Sequence, residues 1–187
     1  MAPEDPTPVV KAAVAERCPT PSADLLGEFR ARLEGFDASL HEAPSLAAAR
    51  ALAHELIGNA TVSRWRDEAL DGIARPEQEA PAVDAEVSLI LADVAVAGTG
   101  AVGFAHHEGR PRATGVLPSK QVVLVNSADL VADMASAFEH VGLRAGRSPL
   151  PGNVVFVAGP SRTSDIEQRS IRGVHAPREV AVVIFNG

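Results

Sequence analysis

The sequence predicts an α/β domain built on a mostly parallel sheet, and three observations predict it. In the second half of the chain, short aliphatic runs alternate with helical patterns: Val122–Val125, a helical stripe, Val154–Ala158, a polar segment, then Val180–Phe185. A sheet with crossover helices packed on it produces that alternation. The runs are continuous instead of alternating, as in strands buried on both faces. The core must also be aliphatic, because aromatic residues make up only 4% of the 187 and tyrosine is absent.

Taken in order, residues 1–21 hold prolines at 3, 6, 8, 19 and 21 around the apolar patch Val9–Val14. They read as an N-terminal arm ahead of a single domain over 22–187. Ser22 then caps a helix whose Leu25, Leu26, Phe29 and Leu33 share a face. Ser45 caps a second, with Leu46, Ala49, Ala53, Leu56 and Ile57 on its stripe and Gly58-Asn59 as its stop. Ala60–Trp65 reads as a short strand, and Arg75–Glu86, with Pro76 and Pro81 among charges, as a surface loop. Val87–Ala97 and Ala101–Ala105 read as consecutive strands, and Val122–Val125 as another. Ser127 caps a helix carrying Leu130, Val131, Met134, Phe138 and Val141 and ending at Gly142. Pro160–Ile171 reads as a short polar helix before the last strand, Val180–Phe185.

Composition excludes several functions. A formal charge of −7 opposes general attraction to nucleic acid, and so few aromatics give no stacking platform for single strands. Cys18 is the only cysteine, so no internal disulfide and no Cys-ligated iron–sulfur cluster can form. A reducing, cytoplasmic location follows as the expectation. The acidic, proline-bearing Met1–Pro8 is unlike a secretory signal. Val87–Ala105 holds one charge, Asp93, but Gly98, Gly100 and Gly103 interrupt it, so paired strands are expected and no membrane span.

Three segments carry candidate chemistry. Ala158 through Glu167 places Gly159 at a strand end, Pro160 at a first helical position, and Ser161, Arg162, Thr163 and Ser164 beside free backbone donors. A helix N-terminus so furnished is an anion site for carboxylate or phosphate. The same residues also spell a well-capped helix, with Ser164 and Glu167 as a capping box and Asp165–Arg169 as an i,i+4 pair. Capping does not account for Arg162 between two hydroxyl residues. Gly173 through Glu179 offers His175 as an acid/base group or polar contact, or as a loop residue bonded to a carbonyl. Gly98 through Gly103 spells a dinucleotide fingerprint, but strand-like residues follow it and no acid stands at ribose distance. It reads as a glycine turn between strands that could line a pocket. His106-His107-Glu108, Arg110 and Arg112 read as a flexible charged connection, and adjacent histidines diverge too far for a metal pair.

Ala97-Gly98-Thr99-Gly100, Leu117-Pro118, Val155-Phe156-Val157-Ala158-Gly159-Pro160-Ser161-Arg162-Thr163-Ser164-Asp165-Ile166-Glu167 and Gly173-Val174-His175-Ala176-Pro177-Arg178-Glu179 occur in that order. Together they resemble the LUD domain of the lactate-utilization protein C (LutC/YkgG) family, over roughly residues 83–187. Gly98 stands where that family usually has a glutamate, and Ala176 where it has a glycine. The resemblance implies a three-layer α/β/α sandwich of the NagB/RpiA/CoA-transferase type. It also implies a non-redox part in oxidising L-lactate to pyruvate, beside partner proteins that carry the iron–sulfur clusters. No cofactor or metal of its own is expected. Ser161, Arg162 and Thr163 would hold a small carboxylate or phosphate-bearing ligand, supported by Gly159 and Ser164. Thr99 and Gly100 would form the facing wall, and His175 and Arg178 the edge. No catalytic residue is assigned; Asp165, Glu167 and His175 are the acid/base candidates. Two alternatives stay open: a stand-alone enzyme of acyl-CoA or phosphosugar chemistry, and a ligand-sensing module without chemistry.

Overall fold

The computed structural model describes residues 23–145, 153–166, 169–172 and 175–187. The N-terminal arm, with Cys18 and Ser22, lies outside them. The first helix, α1 (Leu25–Gly35), starts at Asp24, whose Oδ1 accepts from the Gly27 amide at 2.8 Å. The cap is therefore Asp24 and not Ser22, and the acid also complements the helix dipole. Phe29 and Leu33 are the residues α1 buries. A turn with Asp37 at φ 61° leads into β1 (Ser39–Ala43). The second helix, α2 (Leu46–Ile57), is capped by Ser45 and stopped by Gly58 as expected, and buries Ala49, Ala53 and Ile57.

The main sheet has five strands, all parallel, in the order β1, β11 (Glu179–Phe185), β6 (Lys120–Asn126), β3 (Val87–Leu91), β2 (Val62–Arg64). Its centre is Val122–Val125 beside Val180–Ile184, all nearly inaccessible. Burial of each such side chain contributes roughly 1.5–3 kcal/mol, enough to set the register against a one-residue slip. Helix α2 packs on β1, β11 and β6, and a short helix, α3 (Arg112–Val116), packs on β3. A polar row runs across three strands, where Ser63, Ser88 and Gln121 stand in register. Ser63 and Thr114 of α3 share a buried hydroxyl contact at 3.1 Å.

A second sheet has the order β7 (Leu130–Val131), β4 (Val94–Val96), β5 (Ala101–His106), β8 (Asn153–Val157). Val87–Ala97, expected as one strand, is therefore two strands in different sheets. The break falls at Asp93, whose amide donates to Gly103 O at 2.9 Å and whose carboxylate accepts from the Ala105 amide and from Arg110. Leu130-Val131, expected in a helix, is extended and pairs in parallel with Ala95-Val96. Ser127 begins a 3-10 turn capped by Asn126, and the helix itself, α4 (Met134–Ala145), starts later. Phe138, placed on the apolar stripe, is 60% exposed and meets Phe156 edge-on.

Two further expectations are corrected. The connection from His106 to Arg112 holds a packed ion cluster: His106 and Arg110 are buried, and Arg110 bonds Asp67 at 2.6 Å and Asp93 at 2.9 Å. In the loop Arg75–Glu86, Gln78 is buried and donates to the carbonyls of Gly58 and Ala60. The chain thus forms a mostly parallel α/β fold. Among the described residues, no helix is long and apolar enough to cross a membrane.

Candidate functional site

The segment that spelled a helix N-terminus is not helical. It forms β9 (Arg162–Ile166), paired antiparallel with β10 (Arg169–Arg172), Arg162 opposite Arg172 and Thr163 opposite Ile171. Capping signals are a weak local prior, and strand pairing satisfies the same backbone groups. The backbone of Thr163, Ser164 and Asp165 accordingly runs in β9, and Glu167 lies outside the described residues. An anion site made from helical amides is thereby removed. A site made from side chains does not depend on those amides.

β5 and β8 pair antiparallel up to Val102 opposite Val157. Continued two residues further, that register runs from Gly100 to Gly159, and both glycines lie against one stretch, the C-terminal end of α1. Each has positive φ, 67° and 73°. A Cβ at Gly100 would stand 2.8 Å from Arg32 Cβ, and one at Gly159 2.7 Å from Phe36 Cβ. Glycine is needed here twice over, for the left-handed backbone and for the close approach of the helix end. The group that approaches at the Cβ positions is α1.

The same helix end meets Arg162. Asp37 Oδ2 accepts from Arg162 Nη2 at 2.6 Å, and the guanidinium lies over the Phe36 ring at 6.0 Å. The side chains are 36% and 44% exposed, so the pair contributes no more than about 1 kcal/mol. The Ser161 amide donates to Pro177 O at 2.8 Å, which ties the third segment to the first; the Ala176–Pro177 peptide is cis. His175 and Arg178 are exposed, and the Arg178 amide is held by Ser119 O. Thr99 is exposed, its hydroxyl accepting from the Ala101 amide.

The structure therefore brings Gly100, Gly159, Ser161 and Arg162 to one corner, with the segment of His175 and Arg178 bonded to it through Ser161. Sequence reasoning missed three contributors, Phe36, Asp37 and Glu28. Glu28 Oε1 lies 3.8 Å from where a Cβ of Gly98 would stand. No local pattern marks these residues, since only the packing of α1 brings them to the corner. Among the described residues, no group of three or more His, Cys, Asp or Glu is placed to hold a metal.

The LUD domain pattern matches residues 18–185 of this chain. Lactate utilization protein C of Shouchella clausii is 30% identical over 102 residues, 54% of this chain and 44% of that protein. The protein of the same name from Bacillus pumilus is 30% identical over 126 residues, 67% and 51% of the two chains. The chain thus spans about half the length of the curated relatives it matches. A solved DUF162 family protein from Deinococcus radiodurans shares the fold, with a TM-score of 0.66 at 22% identity over 90% of this chain and 100% of that one.

Proposed function

This chain belongs to the LUD domain family, and from that premise we propose that it is a non-redox component of L-lactate utilization. It acts in the cytoplasm beside iron–sulfur partner proteins that oxidise L-lactate to pyruvate. Relatives named lactate utilization protein C support the pathway. A chain with one cysteine cannot supply the thiolates for a cluster, which supports partners as the site of electron transfer.

The chain's own task is to hold a small carboxylate at the Arg162 corner. The observation that carries this reading is the half-exposed Arg162 guanidinium, held by Asp37 at the end of α1, where Gly100 and Gly159 also pack and where the Ser161 amide ties in the 175–178 segment through Pro177 O. Asp37 accepts from Nη2. The remaining N–H donors of the fork form a planar edge that a carboxylate can meet. Ser161 supplies a hydroxyl on the same segment, supported by Gly159, and the sequence places Thr163 and Ser164 next along it. Thr99 and Gly100 form the wall across it, and His175 and Arg178 the edge.

Two experiments test the proposal. A strain lacking this chain should lose growth on L-lactate and regain it with the wild-type chain but not with Arg162→Ala. In calorimetry with L-lactate and pyruvate, Arg162→Ala should weaken binding by more than ~1.5 kcal/mol, the loss of a charge-assisted contact. Unchanged binding would remove Arg162 from the site; unimpaired growth of the deletion strain would remove the pathway.

A further inference from the structure

At the far edge of the parallel sheet, β2 ends in Arg64-Trp65-Arg66. The Trp65 amide still donates to Leu89 O at 3.2 Å, so the backbone stays extended past the end of the strand. Residues two apart on an extended chain leave it on the same side. Arg64 and Arg66 thus leave opposite to Trp65, which is fully buried. With His107, Glu108, Gly109 and Pro111 they line a cleft of about 370 Å³. The wall is held in place by the Arg66 amide, which donates to Gly109 O at 3.0 Å.

Arg64 is clamped. Its Nε donates to Glu79 Oε1 at 2.7 Å and its Nη1 to Asp71 Oδ1 at 2.8 Å. The hydrogen bond it donates to Glu79, above the other causes, raises its pKa further, so the charge is permanent. Among the described residues its Nη2 donates to no partner, and the Arg66 guanidinium forms no ion pair or hydrogen bond. The His107 ring bonds Glu108 O through Nδ1 at 2.6 Å. A carbonyl only accepts, so Nδ1 carries the proton and Nε2 is left as an acceptor, which can take a hydrogen bond from the P–OH of a phosphate monoester monoanion.

We propose that this cleft binds a phosphate monoester, its phosphate seated between Arg64 Nη2, the Arg66 guanidinium and His107. A planar carboxylate is satisfied by one guanidinium fork, whereas three separate polar groups around one space suit a tetrahedral oxyanion. The cleft also exceeds what a bare anion fills and lies within the range of small-molecule sites. Asp71 and Glu79 offset the charge of Arg64, so its part is a preorganised donor, and Arg66 supplies the net attraction. Glu108 opposes it.

The test titrates the full chain with inorganic phosphate, then glycerol 3-phosphate, with acetate as control, following backbone amide shifts by NMR. Saturable shifts should centre on Arg66, His107 and Gly109, with the ester binding at least as tightly as phosphate and acetate at least tenfold more weakly. Arg66 is exposed, so Arg66→Gln keeps the fold and should weaken binding at least fivefold. Glu108→Gln should tighten it at least twofold, and Arg162→Ala should leave it unchanged. No saturable shifts in this cleft, equal binding of acetate, or indifference to Arg66→Gln would overturn the assignment, whatever becomes of the Arg162 corner.

Discussion

Replacing Arg110 by methionine removes a charge while keeping most of the stem that packs beside Trp65. The guanidinium bonds Asp67 at 2.6 Å and Asp93 at 2.9 and 3.0 Å, and lies 5.4 Å from the Trp65 ring centroid. Its side chain is 9% exposed, against 20% for Asp67 and 16% for Asp93. Removing one member of a buried ionic cluster costs about 3–5 kcal/mol, because the remaining charge is left uncompensated. Both acids keep some access to water, which places Arg110→Met at the lower end, about 3 kcal/mol. At roughly 2–4 °C per kcal/mol for a chain of this size, Tm should fall by roughly 6–12 °C. Urea unfolding followed by circular dichroism measures the loss directly. Adding Asp93→Asn should return about 1 kcal/mol, since one of the two carboxylate charges that lose Arg110 is removed while an amide oxygen still accepts from the Ala105 N–H. A shift below 0.5 kcal/mol for Arg110→Met would refute the reading of this connection as a packed, buried ion cluster.

Two further outcomes follow from the corner. Gly100→Ala and Gly159→Ala should each lower stability by about 2 kcal/mol or more in the same unfolding assay, because the added Cβ meets both a left-handed backbone and the end of α1. Asp37→Asn should tighten binding of L-lactate or pyruvate about two- to fivefold in calorimetry, because a competing carboxylate is withdrawn from Arg162 while Asn keeps the left-handed turn. Weaker binding to that variant would mean that Asp37 positions the arginine instead of competing for it.

Where one effect dominated locally, the sequence was readable. Ser45 and Gly58 bound α2 as the capping pattern indicated, and Val122–Val125 and Val180–Phe185 lie in neighbouring parallel strands. Reading failed where distant pairing competed with local preference. Ser164 and Glu167 spelled a capping box, yet the segment found a partner strand at 169–172. Leu130 and Val131 matched a helical stripe, but β4 offered an edge for them to pair with. Asp93 was read as a lone charge in an apolar run, when it marks the step from one sheet to the other. β1, with its mixed Ser-Leu-His-Glu-Ala composition, owes its extended form to β11 and had no pattern of its own. The candidate corner was legible in part. The motifs that bear Gly100, Gly159 and Arg162 stood out, but the helix end that packs on them did not.

The most direct measurement is an amide chemical-shift map of the full chain titrated with L-lactate. The account predicts saturable shifts at Thr99, Gly100, Gly159, Ser161, Arg162 and His175, all abolished by Arg162→Ala. Shifts confined to other surfaces, or surviving that substitution, would contradict it.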